Sequence, residues 1–338
     1  MNPDFPELID HLQRPLKDLR LSVTDRCNFR CTYCMPKSRF NRGYAFLPEK
    51  ELLTFEELFR LATCFVELGV KKIRLTGGEP LLRAHLERLI SMLATLPVDI
   101  SMTTNGSFPP QRVRALRDAG LKRMTISLDS LDDATFKSIN DVNFPVSTVL
   151  KWIDACDAAG LGPIKINAVI KKGVNEDSIV PMARYFKGSG HIIRFIEFMD
   201  VGRTNGWQMG DVVTASQIHA HIHSEMPLEP IAANYRGEVA QRWRYSDGGG
   251  EIGIIASVTQ PFCGDCTRAR LTADGSLFTC LFSSKKHDLK ALVKKHTSGG
   301  DLKSALAQIW IERADRYSAL RTTSEDRGPK AEMFFIGG

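Results

Sequence analysis

Six short stretches of two-residue periodicity, alternating with helix-like stretches, set the strongest limit on how this chain can fold. They cover 19–23, 70–76, 98–104, 123–129, 163–170 and 191–198. Thr54-Phe55-Glu56-Glu57 reads as a capping box opening a helix to about Leu68, with further helices near 84–95, 110–119, 132–139, 147–159 and 176–187. Strands alternating with helices in this way imply a parallel sheet with the helices outside. A closed (βα)8 barrel needs two more units. The expected fold is therefore α/β, an incomplete (βα)6 TIM-like barrel over residues 1–200, with a C-terminal subdomain over 201–338.

Strand parity says what the barrel encloses. Leu19, Leu21 and Val23 share one face of the first strand, and Arg20, Ser22 and Thr24 the other. The second strand sets Ile73 and Leu75 against Lys72, Arg74 and Thr76. The third sets Ile100 and Met102 against Ser101, Thr103 and Asn105, and the fourth Met124, Ile126 and Leu128 against Thr125, Ser127 and Asp129. In the fifth, Ile164, Ile166 and Ala168 oppose Lys165 and Asn167. The apolar face packs under helices, which leaves a polar, basic interior. Burying those cations without partners is costly, so the lumen is expected to be wet or to hold a charged ligand. An open sheet with its polar face to solvent is the alternative. The sixth strand breaks the pattern, since Arg194 shares a face with Ile196 and Phe198.

Two cysteine groups carry the chemistry. Cys27-x3-Cys31-x2-Cys34 follows the first strand and wraps three sulfurs around one centre, one ligand short of a closed zinc or iron–sulfur site. An iron–sulfur cluster with one open iron fits that spacing, and a zinc knuckle completed by a distant histidine is the alternative. Cys263-x2-Cys266 and Cys280 form a second trio, around an Asp274-Gly275 hairpin turn, and spacing alone does not separate zinc from iron–sulfur there. Arg268 and Arg270 follow on one face of a strand, where guanidinium forks suit a phosphate or the acceptor edge of a purine. Gly77-Gly78-Glu79-Pro80 ends the second strand; its glycines allow close backbone approach to a ligand, and Glu79 can accept from an ammonium group.

The remaining composition mostly excludes. No apolar run reaches the roughly 18 residues of a membrane span. The start, MNPDFPELID, lacks a basic-then-apolar leader, so no signal peptide is expected. Eight cysteines without a leader point to reduced thiols in the cytoplasm. Cys64 and Cys156, among apolar residues of predicted helices, are expected to be buried. A net charge of +6 suits an anionic partner but is modest enough to be surface. His219, His221 and His223 lie in a stretch of weak pattern, 201–250, and are expected to face solvent rather than a metal.

Cys27-x3-Cys31-x2-Cys34 with Tyr33, followed by GGEP, resembles the signature of the radical S-adenosylmethionine (SAM) superfamily. With the motifs 19–31, 76–80, 103–106, 194–200 and 262–271 and the terminal Gly337-Gly338, the chain resembles the GTP 3′,8-cyclase family within it, from about Leu19 to Gly338. That resemblance implies conversion of GTP to (8S)-3′,8-cyclo-7,8-dihydroguanosine 5′-triphosphate, the first step of molybdenum cofactor biosynthesis. It implies two [4Fe–4S] clusters, one on Cys27, Cys31 and Cys34 and one on Cys263, Cys266 and Cys280, and SAM against Tyr33, Gly78, Ser127 and Met199. Arg20, Lys72, Arg74, Thr103, Lys165, Arg194, Arg268, Ala269 and Arg270 are then expected to contact GTP. Arg268 and Arg270 place the nucleotide for cyclisation, and Arg20 assists the later electron or proton step. The glycine tail is expected in the active site. A flavodoxin- or ferredoxin-type reductant, delivery of product to cyclic pyranopterin monophosphate synthase and a homodimer follow by analogy, with no nucleic acid or membrane partner. Competing readings are a peptide-modifying radical SAM enzyme and a zinc-stabilised nucleotide- or RNA-binding module.

Overall fold

A computed structural model describes residues 7–295, 299–321 and 330–337. β1 (Asp18–Ser22) runs into the first cysteine loop, and α1 (Phe55–Glu67) brings the chain back. The capping box forms: Thr54 Oγ1 accepts from the Glu57 amide, and the Glu57 carboxylate accepts from the Thr54 amide. β2 (Lys72–Thr76) starts two residues later than its hydrophobic pattern, because the Val70 amide still closes the end of α1 on the Phe65 carbonyl. The alternation continues through α2 (Leu86–Leu93), β3 (Asp99–Thr104), α3 (Arg112–Asp118), β4 (Arg123–Ser127), α4 (Asp133–Asn140) and α5 (Val146–Ala158). β5 (Lys165–Ile170), α6 (Ile179–Phe186), β6 (Ile192–Glu197) and α7 (Ala215–His223) complete six βα units.

The later strands are β7 (Leu228–Ile231), β8 (Gln241–Tyr245), β9 (Glu251–Ile255), β10 (Arg268–Leu271), β11 (Ser276–Phe278) and β12 (His287–Asp288). They join the same sheet, whose order is β12-β11-β10-β1-β2-β3-β4-β5-β6-β9-β8-β7. β10 pairs parallel with β1 and β9 pairs parallel with β6, so one more parallel strand flanks each edge of the six. Antiparallel β11 and β8 then continue the two edges. The expected incomplete barrel is present, widened on both sides by the C-terminal segment. The helices α8 (Leu289–Lys295), α9 (Gly299–Ile311), α10 (Tyr317–Leu320) and α11 (Met333–Ile336) finish the chain.

The predicted apolar faces form the core. Leu19, Leu21, Ile73, Ile126 and Ile166 are fully buried in one cluster that also takes in Ile252, Leu271 and Leu306. Each such side chain contributes about 1.5–3 kcal/mol by leaving water. Cys64 and Cys156 are buried here too. The loop at 37–50, polar in overall composition, is tied down by Phe40, Tyr44 and Phe46, which pack edge-on with each other and with Phe334. Among the described residues no helix is long and apolar enough to cross a membrane.

Candidate active site

The strand directions place the two cysteine trios at opposite mouths of one lumen. Cys27, Cys31 and Cys34 follow the C-terminal end of β1. Cys263 and Cys266 precede the N-terminal end of β10, and Cys280 follows antiparallel β11, which returns to that same end. A cavity of about 300 Å³ is lined by all six cysteines.

At the first mouth the GGEP turn is sewn to the cysteine loop. The Gly78 amide donates to the Thr24 carbonyl at 2.9 Å and the Glu79 amide to Arg26 at 2.8 Å. A Cβ on Gly78 would sit 2.5 Å from the Arg26 carbonyl carbon and 3.0 Å from the Cys27 nitrogen. The glycine pair therefore first serves a backbone-to-backbone approach, beyond the ligand approach expected from sequence. Glu79, buried, accepts from the Thr104 hydroxyl and the Asn105 amide at 2.8 Å and from the Leu81 amide at 3.2 Å. Burial pushes its carboxyl up to about 7, against those hydrogen bonds. The Tyr33 hydroxyl donates to Asp129 at 2.8 Å, and the other Asp129 oxygen accepts from the Val169 amide at 2.8 Å. Tyr33, Gly78, Ser127 and Met199 all line the cavity around this trio.

Between the mouths, register stacks the cations. Arg268, Asp18 and Lys72 are level on β10, β1 and β2, and the next inward rung is Arg270, Arg20 and Arg74. The first rung is partly neutralised, since Lys72 pairs with Asp18 at 3.5 Å. The second holds three guanidiniums and no carboxylate. Arg74 donates to Thr125 at 3.2 Å and more weakly to Thr103, while Arg20 makes no hydrogen bond to the described residues. Burial, then the charges of Arg270 and Arg74, hold Arg20 well below its ordinary value. Burial and then Arg268 bring Arg270 down to about 10. Arg194, held by Asn167 Oδ1 at 2.9 Å, is brought to about 9 by burial and then Arg74. Like charges crowded in one lumen are relieved by an anion that spans them.

The second mouth is cationic as well. Arg268 donates to Cys266 Sγ at 3.2 Å and stacks over Phe262 at 5.2 Å. Burial acts to raise the Cys266 thiol, but Arg268 and then Arg313 outweigh it and hold the group at about 6. Tyr235 covers this end, accepting from Lys72 Nζ at 2.9 Å.

The C-terminal tail enters the lumen. The Gly337 carbonyl accepts from Arg270 Nη1. Upstream, Lys330 reaches Asp200 at 2.8 Å and Phe334 packs on Phe40. Gly337 thus meets the cavity-lining Arg270 through its carbonyl without itself lining the cavity, and Gly338 lies outside the described residues.

Arg20, Lys72, Arg74, Thr103, Arg194, Arg268 and Arg270 all line the cavity. Two expected substrate contacts do not. Lys165 lies level with Thr125 on β5, below the lining, and Ala269 turns its methyl into the core opposite Leu19. Parity dictates the latter, because Arg268 and Arg270 take the inward face of β10. Asp129, Asn167 and Tyr235 line the cavity without having been singled out as ligand contacts; Asp129 and Asn167 lay on the predicted inward face, and Tyr235 lay in a stretch with no pattern. His219 is half-buried against Trp243, while His221 and His223 face solvent.

The first trio suits an iron–sulfur cluster by its donor chemistry. Burial pushes the Cys27 thiol up to about 12, with Glu79 adding to it, and raises Cys31 well above its ordinary value, with Asp129 and the neighbouring thiols adding. Three half-buried thiols gathered at that cost are a donor set that a cationic centre would relieve. Among the described residues no three His, Cys, Asp or Glu side chains are arranged to hold a single metal ion. A cluster spreads its thiolates over separate irons.

This barrel, with a three-cysteine loop after its first strand, defines a radical SAM protein, and residues 21–186 match the Radical SAM superfamily. Residues 191–319 match the family Molybdenum Cofactor Synthesis C. The fold is shared with the crystal structure of Streptococcus suis SuiB bound to S-adenosylmethionine, at a TM-score of 0.65 and 13% identity, covering 91% of this chain and 68% of that one. In sequence the chain is 54% identical over 94% of its length to a GTP 3′,8-cyclase of Acidothermus cellulolyticus, covering 89% of that protein. It is 48% identical to one from Xanthomonas axonopodis pv. citri, covering 97% of this chain and 98% of that one, and 47% identical to one from Staphylococcus epidermidis, covering 97% and 98%. The chain belongs to the GTP 3′,8-cyclase family. The superfamily implies one [4Fe–4S] cluster and SAM as cofactors.

Proposed function

We propose that this enzyme converts GTP to 3′,8-cyclo-7,8-dihydro-GTP in the first step of molybdenum cofactor biosynthesis, inside the lumen between its two cysteine trios. The observation that carries this reading is the unneutralised rung of Arg270, Arg20 and Arg74 lying between those trios. A triphosphate fits three guanidiniums without carboxylate partners, and forked N–H pairs bind phosphate oxygens at two points each.

Cys27, Cys31 and Cys34 would hold the first [4Fe–4S] cluster, which when bound supplies the electron that cleaves SAM to methionine and a 5′-deoxyadenosyl radical. Tyr33, fixed by Asp129, with Gly78, Ser127 and Met199, would hold SAM at that mouth. Cys263, Cys266 and Cys280 would hold a second [4Fe–4S] cluster. Arg268 and Arg270 would orient GTP so that its C3′ faces the first mouth and its guanine the second, with Lys72, Arg74, Thr103 and Arg194 around ribose and phosphates. Lys165 acts through its charge from below the lining. Arg20, the least hydrogen-bonded of the rung, assists the closing electron or proton transfer. The Gly337 carbonyl holds Arg270 in place from the tail.

In this reading residues 1–200 generate the radical and 201–338 hold the substrate, a division of labour within one continuous sheet. The enzyme acts in the cytoplasm, as a homodimer. It draws electrons from a flavodoxin- or ferredoxin-type protein and hands its product to cyclic pyranopterin monophosphate synthase. Anaerobic incubation of the iron-loaded protein with SAM, GTP and reductant, followed by chromatographic separation and fragment-mass analysis of the nucleotides, tests the function. Release of 5′-deoxyadenosine with a product isomeric with GTP is expected. SAM cleavage with GTP left intact rejects it.

A further inference from the structure

The sulfurs of the two trios receive different donors. Around the first, the carboxylates Glu79 and Asp129 line the cavity together with Cys27, Cys31 and Cys34. The nearby Arg30 guanidinium is engaged by the carbonyls of Cys27, Phe29 and Phe40, and the Cys27 sulfur receives only neutral donors, the Phe29 amide at 3.4 Å and Asn105 Nδ2 at 3.9 Å. Around the second, Cys266 Sγ accepts from two guanidiniums at 3.2 Å each, Arg268 and Arg313.

Those two arginines have different backing. Arg268 lines the lumen and is available to a ligand, whereas Arg313 is locked behind the trio. Its Nη1 donates to the Cys266 carbonyl at 2.7 Å and to Asp10 Oδ2 at 3.1 Å, and its plane lies 4.5 Å from the Trp310 ring. The same Asp10 oxygen accepts from Arg14 Nε at 2.7 Å, and Arg14 Nη1 reaches the Cys263 carbonyl at 2.8 Å and the Asp315 carbonyl at 2.7 Å. The Asp10 and Arg14 side chains are wholly buried and Arg313 is 1% exposed. One carboxylate is thus shared by two guanidiniums. The next carboxylate, Asp315, is bonded to Thr279 and stands 3.9 Å from Arg313. Arg313 Nε and Arg14 Nη2 have no hydrogen-bond partner among the described residues. Two guanidiniums and two carboxylates thus meet behind Cys266, and of these Arg313 is the one whose N–H reaches the Cys266 sulfur.

We infer that Arg313, oriented by Asp10, is a positioning residue that raises the reduction potential of the second centre above that of the first by its hydrogen bond and charge on the Cys266 sulfur. The inference rests on the reading that Cys263, Cys266 and Cys280 hold a [4Fe–4S] cluster. N–H donors to cluster thiolates and nearby cations favour the reduced, more negative state. A first centre among carboxylates is left strongly reducing, which suits cleavage of SAM. A second centre with fixed cationic backing stays easier to reduce even when Arg268 turns to a ligand. The two roles are separated by the protein's own charges.

The test uses chain carrying Cys27→Ser, Cys31→Ser and Cys34→Ser, so that iron reports the second trio alone. Iron content and an electron paramagnetic resonance redox titration are compared between this parent, Arg313→Met and Arg313→Lys. The parent is expected to bind about four irons. Arg313→Met is expected to keep them with a potential shifted to a more negative value, and Arg313→Lys to shift less in the same direction. An unchanged potential in an iron-loaded Arg313→Met protein overturns the inference. If that variant does not retain iron, Arg313→Lys decides in the same way, a lower potential supporting the inference and an unchanged one overturning it. A parent without iron instead rejects the second cluster itself, and the inference with it.

Discussion

Replacing Gly337 by alanine tests the placement of the tail in the lumen. Gly337 sits at φ 74° and ψ 113°, a region that costs a residue with a side chain about 1–3 kcal/mol. The new Cβ would also overlap Thr76 Oγ1 and lie 3.0 Å from Thr76 Cβ. Thr76 belongs to β2 and cannot move aside without disturbing the sheet, so the tail must withdraw. Withdrawal breaks the contact between Arg270 and the Gly337 carbonyl. At about 1.4 kcal/mol per tenfold change, the backbone term alone lowers the docked fraction roughly 5- to 150-fold. The assay follows cyclic nucleotide and 5′-deoxyadenosine in one anaerobic reaction. Cyclic product is expected to fall by a factor in that range while SAM cleavage continues. Thr76 Oγ1 is buried with no partner among the described residues, so adding Thr76→Ala to the same chain removes the Oγ1 overlap at little cost, and restores only part of the loss because the 3.0 Å approach to the Thr76 Cβ and the backbone strain stay. Full cyclisation by Gly337→Ala would refute the reasoning.

Gly78→Ala forces its Cβ against the Arg26 and Cys27 backbone, so iron content should drop by about one cluster's worth, roughly four per chain; a full complement of iron would show that the loop gives way. Arg268→Ala and Arg270→Ala should each retain 5′-deoxyadenosine formation and lose cyclisation by at least about tenfold, the loss of one charge-assisted contact, and unchanged cyclic product from either removes that residue from the nucleotide site. Burial, then Arg194 and Arg74, brings Lys165 down to about 8. Near pH 8 it is about half deprotonated, and a neighbouring polyanion drives it back to the charged form, so GTP binding should take up to about half a proton. Calorimetry in buffers of different ionisation heat measures this, and uptake that survives Lys165→Met assigns the proton elsewhere.

Period-two parity was enough to say that Arg20, Arg74 and Lys72 share a face opposite the core, because a strand leaves side chains only two directions and an apolar set claims one of them. The same rule turns the Ala269 methyl to the core, since its neighbours Arg268 and Arg270 hold the inward face. The cysteine spacings were equally local and legible. What no local pattern carries is pairing at long range. Arg14 and Arg313 reach Cys263 and Asp10 across 249 and 303 residues, and neither lies in a motif.

The sequence by itself determined the βα alternation, the polar side of each strand and the two thiol trios, since each depends on residues a few positions apart. Only the tertiary structure decided that β9 and β10 flank the six strands in parallel. That direction puts the trios at opposite mouths with Arg270 level with Arg20 and Arg74 between them. Strand direction and register come from which edges meet and what they bury together, and that choice is made by the whole core rather than by any segment of it.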